Sequence, residues 1–296
     1  MNKEKYFLEK YLKPCSSVNA QFPLEIGDDC AVISSSKDLI ISSDSSVVDV
    51  HFPSTLDPYF IAYRAVAVAA SDIIAMGAYP EGYLLNITHP QPSAEWFKKF
   101  SNGIRDFNHD YETNLIGGDL TKGQLNISVT VFGKQLDKII KRSGAKADDD
   151  IYISNAIGLG KQGYEKYAKQ ISDLPNQYLK PKLLSKNSVQ VLNSYMNAAI
   201  DVSDGLLLDL SRICEQSKKG AILNIFDTVY TNAIDDLIAG DDYVLLFTSN
   251  KEHRESIRKI LPTSVLIGKI TAEKTIFVTD KDGKNINFKK LGWDSF

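Results

Sequence analysis

The chain has 296 residues, 43% of them hydrophobic and 24% charged, with a formal net charge of −3. That length is comfortable for two domains with sizeable cores. The slightly acidic balance excludes a general nucleic-acid binder, which carries a basic face, and no apolar run of about 18 residues announces a membrane span. The first residues, MNKEKYFLEKYLKP, are charged and amphipathic and lack the apolar stretch of a secretory signal. Cys15, Cys30 and Cys214 are scattered, odd in number and without metal-like spacing. They point to free thiols in a reducing cytoplasm.

In chain order, DLIISSDSSVVDVHF (38–52) reads as two short strands about a turn, and PYFIAYRAVAVAASDIIAMGA (58–78) as a long, mostly buried helix ended by Gly77. EGYLLNITH (81–89) is a strand. SAEWFKKFSNGIRDFNHDY (93–111) is an amphipathic helix capped by Ser93, with Trp96, Phe97, Phe100, Ile104 and Phe107 along one face. LNISVTVFGK (125–134) is a strand, and the charged stretch 135–150 marks the passage to a second half. There IYISN (151–155), NAAIDV (197–202), AILNIF (221–226), DYVLLFTS (242–249) and TIFVTD (275–280) read as strands. Residues 185–196 and 203–217 read as helices. The expected fold is α+β, an α/β chain of two domains (1–137 and 138–296) with mixed sheets. No short-period repeat or low-complexity segment is present.

The conspicuous chemistry is aspartate. Asp28, Asp29, Asp44, Asp72, Asp119, Asp201 and Asp204 all lie beside small residues, at strand ends or on an apolar helix. One aspartate of this kind is ordinarily a turn former or helix cap. Asp72 is sharper, because it interrupts an Ala-rich helix and a buried, unpaired carboxylate costs several kcal/mol, so it needs Arg64, a backbone donor or a metal. Two carboxylates about 6 Å apart at an effective dielectric of about 20 repel by roughly 3 kcal/mol, so a converging set holds protons or cations. Oxygen ligands without His or Cys suit Mg²⁺, and Mg²⁺ held by carboxylates usually also holds a nucleotide phosphate.

IGGDLTKG (116–123) puts two glycines before Asp119 and Lys122 after it, a backbone that can approach a phosphate and a cation that can neutralise it. It is neither a Walker A loop nor a G-x-G-x-x-G turn. IDVSDGLLLDL ends a strand and opens a helix at Ser203 or Asp204, whose free amides are an anion site; a plain cap at Ser203 is the competing reading. His51 is the one histidine near the acidic segments. Arg142 is either a phosphate clamp or a solvated loop charge.

The ordered set GDDCAV, SSDSSVVDVHF, AVAVAASDIIAMGAYP, LIGGDLTKG, ISVTVFG, RSGAKADDDIYIS, AAIDVSDGLLLDL, AGDDYVLLFT and GWDSF resembles the thiamine-monophosphate kinases. These belong to the superfamily of aminoimidazole ribonucleotide synthetase and selenophosphate synthetase, and the match runs from residue 27 to the last. The resemblance implies ATP-dependent phosphorylation of thiamine monophosphate to thiamine diphosphate, the last step in making that cofactor. It implies several Mg²⁺ ions and a cytoplasmic homodimer whose N-terminal mixed sheets pair, with a C-terminal α/β sandwich domain. By position, Asp29, Ser42, Ser43, Asp44, Asp72, Asp119, Asp201 and Asp204 match metal ligands. Gly118, Asp119, Arg142 and Ser203 match ATP contacts, and His51, Asp241 and Trp293 the substrate end. Departures are SSD for TTD or STD at 42–44, GDDYVL for GEDYEL at 240–245, AIGLGKQGYEKYA (156–168) for a longer glycine-rich signature, and LKPKLL (179–184) for P-x-P-R. The alternatives are a sister ATP-using synthetase and a nucleotide-binding module without turnover.

Overall fold

A computed structural model describes residues 6–22, 33, 38–170 and 176–293. Asp28, Asp29 and Cys30 lie outside these. The chain divides into two compact units, Met1–Ile73 with Tyr79–Gln135, and Ile74–Ala78 with Leu136–Phe296.

In the first unit, strands β1 (Leu39–Val47), β2 (Ala78–His89), β3 (Leu115–Lys122) and β4 (Asn126–Gln135) form one sheet in the order β1-β4-β2-β3. β1 runs antiparallel to β4, and β2 parallel to β3. The segment expected as two strands about a turn is one nine-residue strand followed by a turn at 49–51, with a single Val48–Phe52 bridge in place of a second strand. Its serines do not break it because they find hydroxyl partners across the ladder: Ser43 with Thr130 at 3.0 Å and Ser45 with Ser128 at 2.8 Å. IGGDLTKG, whose flexible glycines were expected to approach a phosphate, lies on strand β3 as far as Lys122.

Helix α1 (Pro58–Ala75) ends two residues before Gly77, whose φ of 70° only glycine adopts freely. By length and composition it could cross a membrane, which the sequence reading did not anticipate, yet 72% of it is buried inside the protein. Ala62, Ala67, Ala69 and Ala70 are fully buried, the small residues that let a helix be packed on several sides. Helix α2 (Ala94–Tyr111) starts as expected: Ser93 Oγ accepts the Trp96 amide at 3.0 Å, and Phe97, Phe100, Ile104 and Phe107 are fully buried.

The second unit holds α3 (Leu159–Ala168), α4 (Lys186–Asn193), α5 (Leu206–Ser217) and α6 (Arg254–Ile260). Its strands are β5 (Asp150–Ile153), β6 (Met196–Asp201), β7 (Gly220–Asn224), β8 (Leu245–Ser249), β9 (Val265–Thr271) and β10 (Ile276–Thr279), in the order β10-β7-β9-β5-β8-β6. Only β10 and β7 run parallel; the other neighbours are antiparallel. The two-residue period of the strands sorts their side chains onto two cores. Ile151, Ile153, Ala198, Ile200 and Leu246 pack with Leu206, Leu210 and Ile213 of α5. Tyr152, Ala199, Leu245 and Phe247 pack with Leu192 of α4, Ile257 of α6 and Leu261. Helices on both faces explain why β5 is buried throughout.

One buried carboxylate anchors this sheet. Asp150 is 3% exposed and accepts Arg254 Nε and Nη2 at 2.6 and 2.7 Å, and the Tyr152 hydroxyl at 3.3 Å. Arg254→Ala leaves that carboxylate short of its cation and is expected to cost about 2 kcal/mol, read as a lower denaturant midpoint. An unchanged midpoint would show the pair to be idle.

Candidate active site

Alternation along β1 decides which of its polar groups meet. Ile40 and Ser46 are buried and Ser42 and Asp44 half-buried, whereas Ile41, Ser43 and Ser45 are exposed. Ser42 and Asp44 therefore share the inner face. Across from them α1 delivers Asp72, and Ser42 Oγ donates to Asp72 Oδ2 at 2.5 Å. Burial, and then the charge of Asp72, push the Asp44 carboxyl up to about 6. Two half-buried carboxylates and a hydroxyl thus stand together with their negative charges opposed, an arrangement a hard cation would relieve.

Ser43 does not join them: it lies on the opposite face with its hydroxyl on Thr130. Asp119 is exposed on β3, with β4 and β2 between it and β1, about three strand spacings or roughly 14 Å away. Its carboxylate accepts the Thr121 hydroxyl at 3.4 Å. Gly118 has φ 149° and lies against β2, where a Cβ would stand 1.8 Å from the Leu85 carbonyl oxygen, so strand packing already demands a glycine there. His51 is exposed, and its Nδ1 accepts the Val47 amide at 3.0 Å, closing the turn after β1. Among the described residues, no three His, Cys, Asp or Glu side chains are close enough to hold a metal together.

The second unit gathers another set at the start of α5. Asp201 ends β6 and is 6% exposed. The expected helix start at Ser203 or Asp204 is corrected: α5 begins at Leu206, behind Gly205 with φ 123°. The amides of Ser203 and Asp204 are not free for an anion either, since both donate to Asp209 Oδ2 at 3.1 Å. Arg212 then bridges Asp209 at 2.5 Å and Asp204 at 2.7 Å. Burial raises the Asp209 carboxyl to about 6, against the pull of Arg212 and the Asp204 amide.

Two distant stretches close on this turn. The Asp241 amide donates to the Ser203 carbonyl at 2.9 Å, and the Trp293 amide to the Asp204 carbonyl at 2.8 Å. Ser203, Asp204, Asp241 and Trp293 are therefore brought together, with Trp293 57% exposed. Arg142 is not: its carbonyl accepts the Ser217 hydroxyl at 2.7 Å, at the far end of α5, and twelve helical residues span about 18 Å.

Sequence reasoning missed Asp209, Arg212 and Asp242. The first two carry a readable signal, an Asp five residues after Asp204 and an Arg three beyond it on one helix face. Asp242 carries none, being one of two adjacent aspartates. It is fully buried, and burial raises its carboxyl to about 7 while the amides of Gly158 and Gly160 hold it down.

Residues 27–135 match the family described as AIR synthase related protein, N-terminal domain. Thiamine-monophosphate kinase of Buchnera aphidicola (subsp. Schizaphis graminum) is 35% identical over 92% of this chain and 92% of its own length. The crystal structure of thiamine-monophosphate kinase from Stenotrophomonas maltophilia superposes with a TM-score of 0.81 at 27% identity, covering 95% of this chain and 96% of that one. AaThiL complexed with AMPPCP and TMP superposes with a TM-score of 0.77 at 25% identity over 90% and 89% of the two chains. With this identity sustained over nearly its full length, and with the paired aspartates and aspartate-rich turn in place, the chain belongs to the thiamine-monophosphate kinase family.

Proposed function

We propose that this protein transfers the γ-phosphoryl group of ATP directly to the phosphate of thiamine monophosphate, giving thiamine diphosphate. The observation that carries this reading is the meeting of Asp44, Asp72 and Ser42. Two opposed carboxylates inside an oxygen-only donor set fit Mg²⁺, and these three residues would hold it. Asp201 and Asp204 of the second unit, together with Asp29 and Asp119, are the further candidate ligands. Bound Mg²⁺ would neutralise the phosphates of the two polyanionic substrates. Ser42 holds the Asp72 carboxylate in one orientation, and β1 fixes Asp44 beside it. No general base is needed, because the attacking phosphate oxygen is already anionic. The known complex of AaThiL with AMPPCP and TMP supports the choice of substrates.

Arg142 and Ser203 are assigned to the nucleotide, and His51, Asp241 and Trp293 to thiamine monophosphate; Gly118 serves the packing of β3 against β2. Ser43 acts by forming β1 against Thr130. The exposed face of β1, where Ile41 is 61% exposed, is where a second copy would pair to make the cytoplasmic homodimer.

The test is an end-point assay with purified protein, ATP, Mg²⁺ and thiamine monophosphate, resolved by chromatography. Thiamine diphosphate is expected, and none when the divalent ion is chelated. Bound ATP with no product would favour a nucleotide-binding module instead. Trp293→Ala removes an exposed ring suited to stacking on a thiamine ring. It is expected to raise the KM for thiamine monophosphate about tenfold with kcat kept within about threefold, as loss of ground-state stacking requires. An unchanged KM would leave Trp293 as a chain-end anchor.

A further inference from the structure

Residues 158 and 160 meet the 240–245 loop at one buried carboxylate, and Lys182 reaches the same loop's backbone through Gln177. Asp242 Oδ2 accepts the Gly158 amide at 2.7 Å, and Oδ1 accepts the Gly160 amide at 2.9 Å. Its carbonyl accepts Gln177 Nε2 at 2.7 Å, and Gln177 Oε1 accepts the Lys182 amide at 3.1 Å. The two sides fit closely: a Cβ on Gly160 would stand 2.2 Å from the Asp241 carbonyl oxygen.

The residues flanking Asp242 are held in an uncommon conformation. Asp241 has φ 78° and Tyr243 φ 51°, the left-handed region that non-glycine residues rarely occupy. Such backbone persists where its surroundings over-determine it. Here the Asp241 amide is tied to the Ser203 carbonyl at 2.9 Å and the Tyr243 amide to the Val202 carbonyl at 2.8 Å. The Tyr243 hydroxyl donates back to Asp241 Oδ1 at 2.9 Å. Of the two adjacent aspartates, Asp242 is turned into the core and Asp241 stands beside Ser203.

We propose that Asp242 is a positioning residue for the thiamine-monophosphate end of the site, latching the N-terminus of α3 (Gly158 to Gly160) and, through Gln177, the 177–182 segment onto the loop that places Asp241. This rests on the assignment of Asp241 and Trp293 to that substrate. The latch needs both oxygens as acceptors. Asn keeps the shape but turns an NH₂ donor toward a glycine N–H.

The test uses the full chain in a Trp96→Phe background, so that Trp293 reports binding by fluorescence. Asp242→Asn and Gly160→Ala, which disturb the latch from opposite sides, are each expected to raise the KM and Kd for thiamine monophosphate about tenfold or more. The KM for ATP and kcat are expected to stay within about threefold. Should Asp242→Asn not fold, Gln177→Ala removes only the two outer bonds and is expected to raise the same KM about threefold. Lower thermal stability with an unchanged KM and Kd for thiamine monophosphate in the folded variants would overturn the proposal and leave Asp242 a core anchor. If the parent protein binds thiamine monophosphate but makes no product, the kinase reading falls and the Kd shift still decides the latch. A parent that neither binds nor turns over overturns both.

Discussion

Asp44→Asn is expected to fold and to lose at least about a thousandfold in kcat, the scale on which removing a preorganised charge from a phosphoryl-transfer site acts. Asn has nearly the same shape, so β1 keeps its register against Val129 and Ser42 keeps its bond to Asp72. What disappears is one of the two charges that would hold Mg²⁺. The stability of the variant separates this loss from misfolding. The Asp44 carboxyl titrates near 6 in the folded chain against an ordinary value of 3.8. A carboxyl whose folded value is raised burdens the fold above the folded value, and the burden vanishes below the unfolded one. Without divalent ions, Asp44→Asn should therefore be at least as stable as the parent at pH 8, with the difference closing as pH falls from about 6 to about 4. Thermal unfolding across that range, beside the kinetic assay, checks both arms. Retained turnover would remove Asp44 from the site, and a strongly destabilised variant would show a structural anion instead.

Gly118→Ala is expected to be the most damaging single methyl in the first unit. The new Cβ would lie 1.8 Å from the Leu85 carbonyl oxygen, and φ 149° is strained for any L side chain. Relief needs the β2–β3 ladder to separate where Leu85 pairs with Gly118. Together, strain and lost pairing are expected to cost about 3 kcal/mol or more, a fall in Tm of roughly 10 °C for a unit of this size. Calorimetry decides the matter. A large fall in Tm identifies the glycine as a strand-packing residue. An unchanged Tm with a raised KM for ATP would return it to the role of close backbone approach to phosphate.

Glycine thus illustrates what the chain discloses and what it withholds. IGGDLTKG reads as backbone that can approach a phosphate because glycine is permissive, yet the same two residues let β3 lie against β2. Local cues with one physical meaning were legible. Ser93 before an apolar helical face was a cap, Gly77 ended a helix, and alternating apolar runs were strands. The pairing of Asp72 was also legible in kind, because a carboxylate on an Ala-rich helix demands a partner; that the partner is Ser42 depends on the fold. Three things were not legible. The length of β1 was hidden because the hydroxyl partners of its polar run, Thr130 and Ser128, lie on a strand more than 80 residues away. Ser203 looked like a helix cap because Asp209, which takes its amide, was read only as a helix residue. Asp242 went unmarked beside Asp241 because burial, not residue type, sets it apart.

The central claim is direct transfer between two substrates held by aspartates, with no phosphoryl group passing through the protein. It is tested by acid-quenched single turnover with ATP labelled in the γ-phosphate. The account predicts no labelled protein at any time, with or without thiamine monophosphate, and label appearing in the terminal phosphate of thiamine diphosphate at the rate ATP is consumed. Label retained on the protein when thiamine monophosphate is left out, or ATP consumed without labelled thiamine diphosphate, would contradict it.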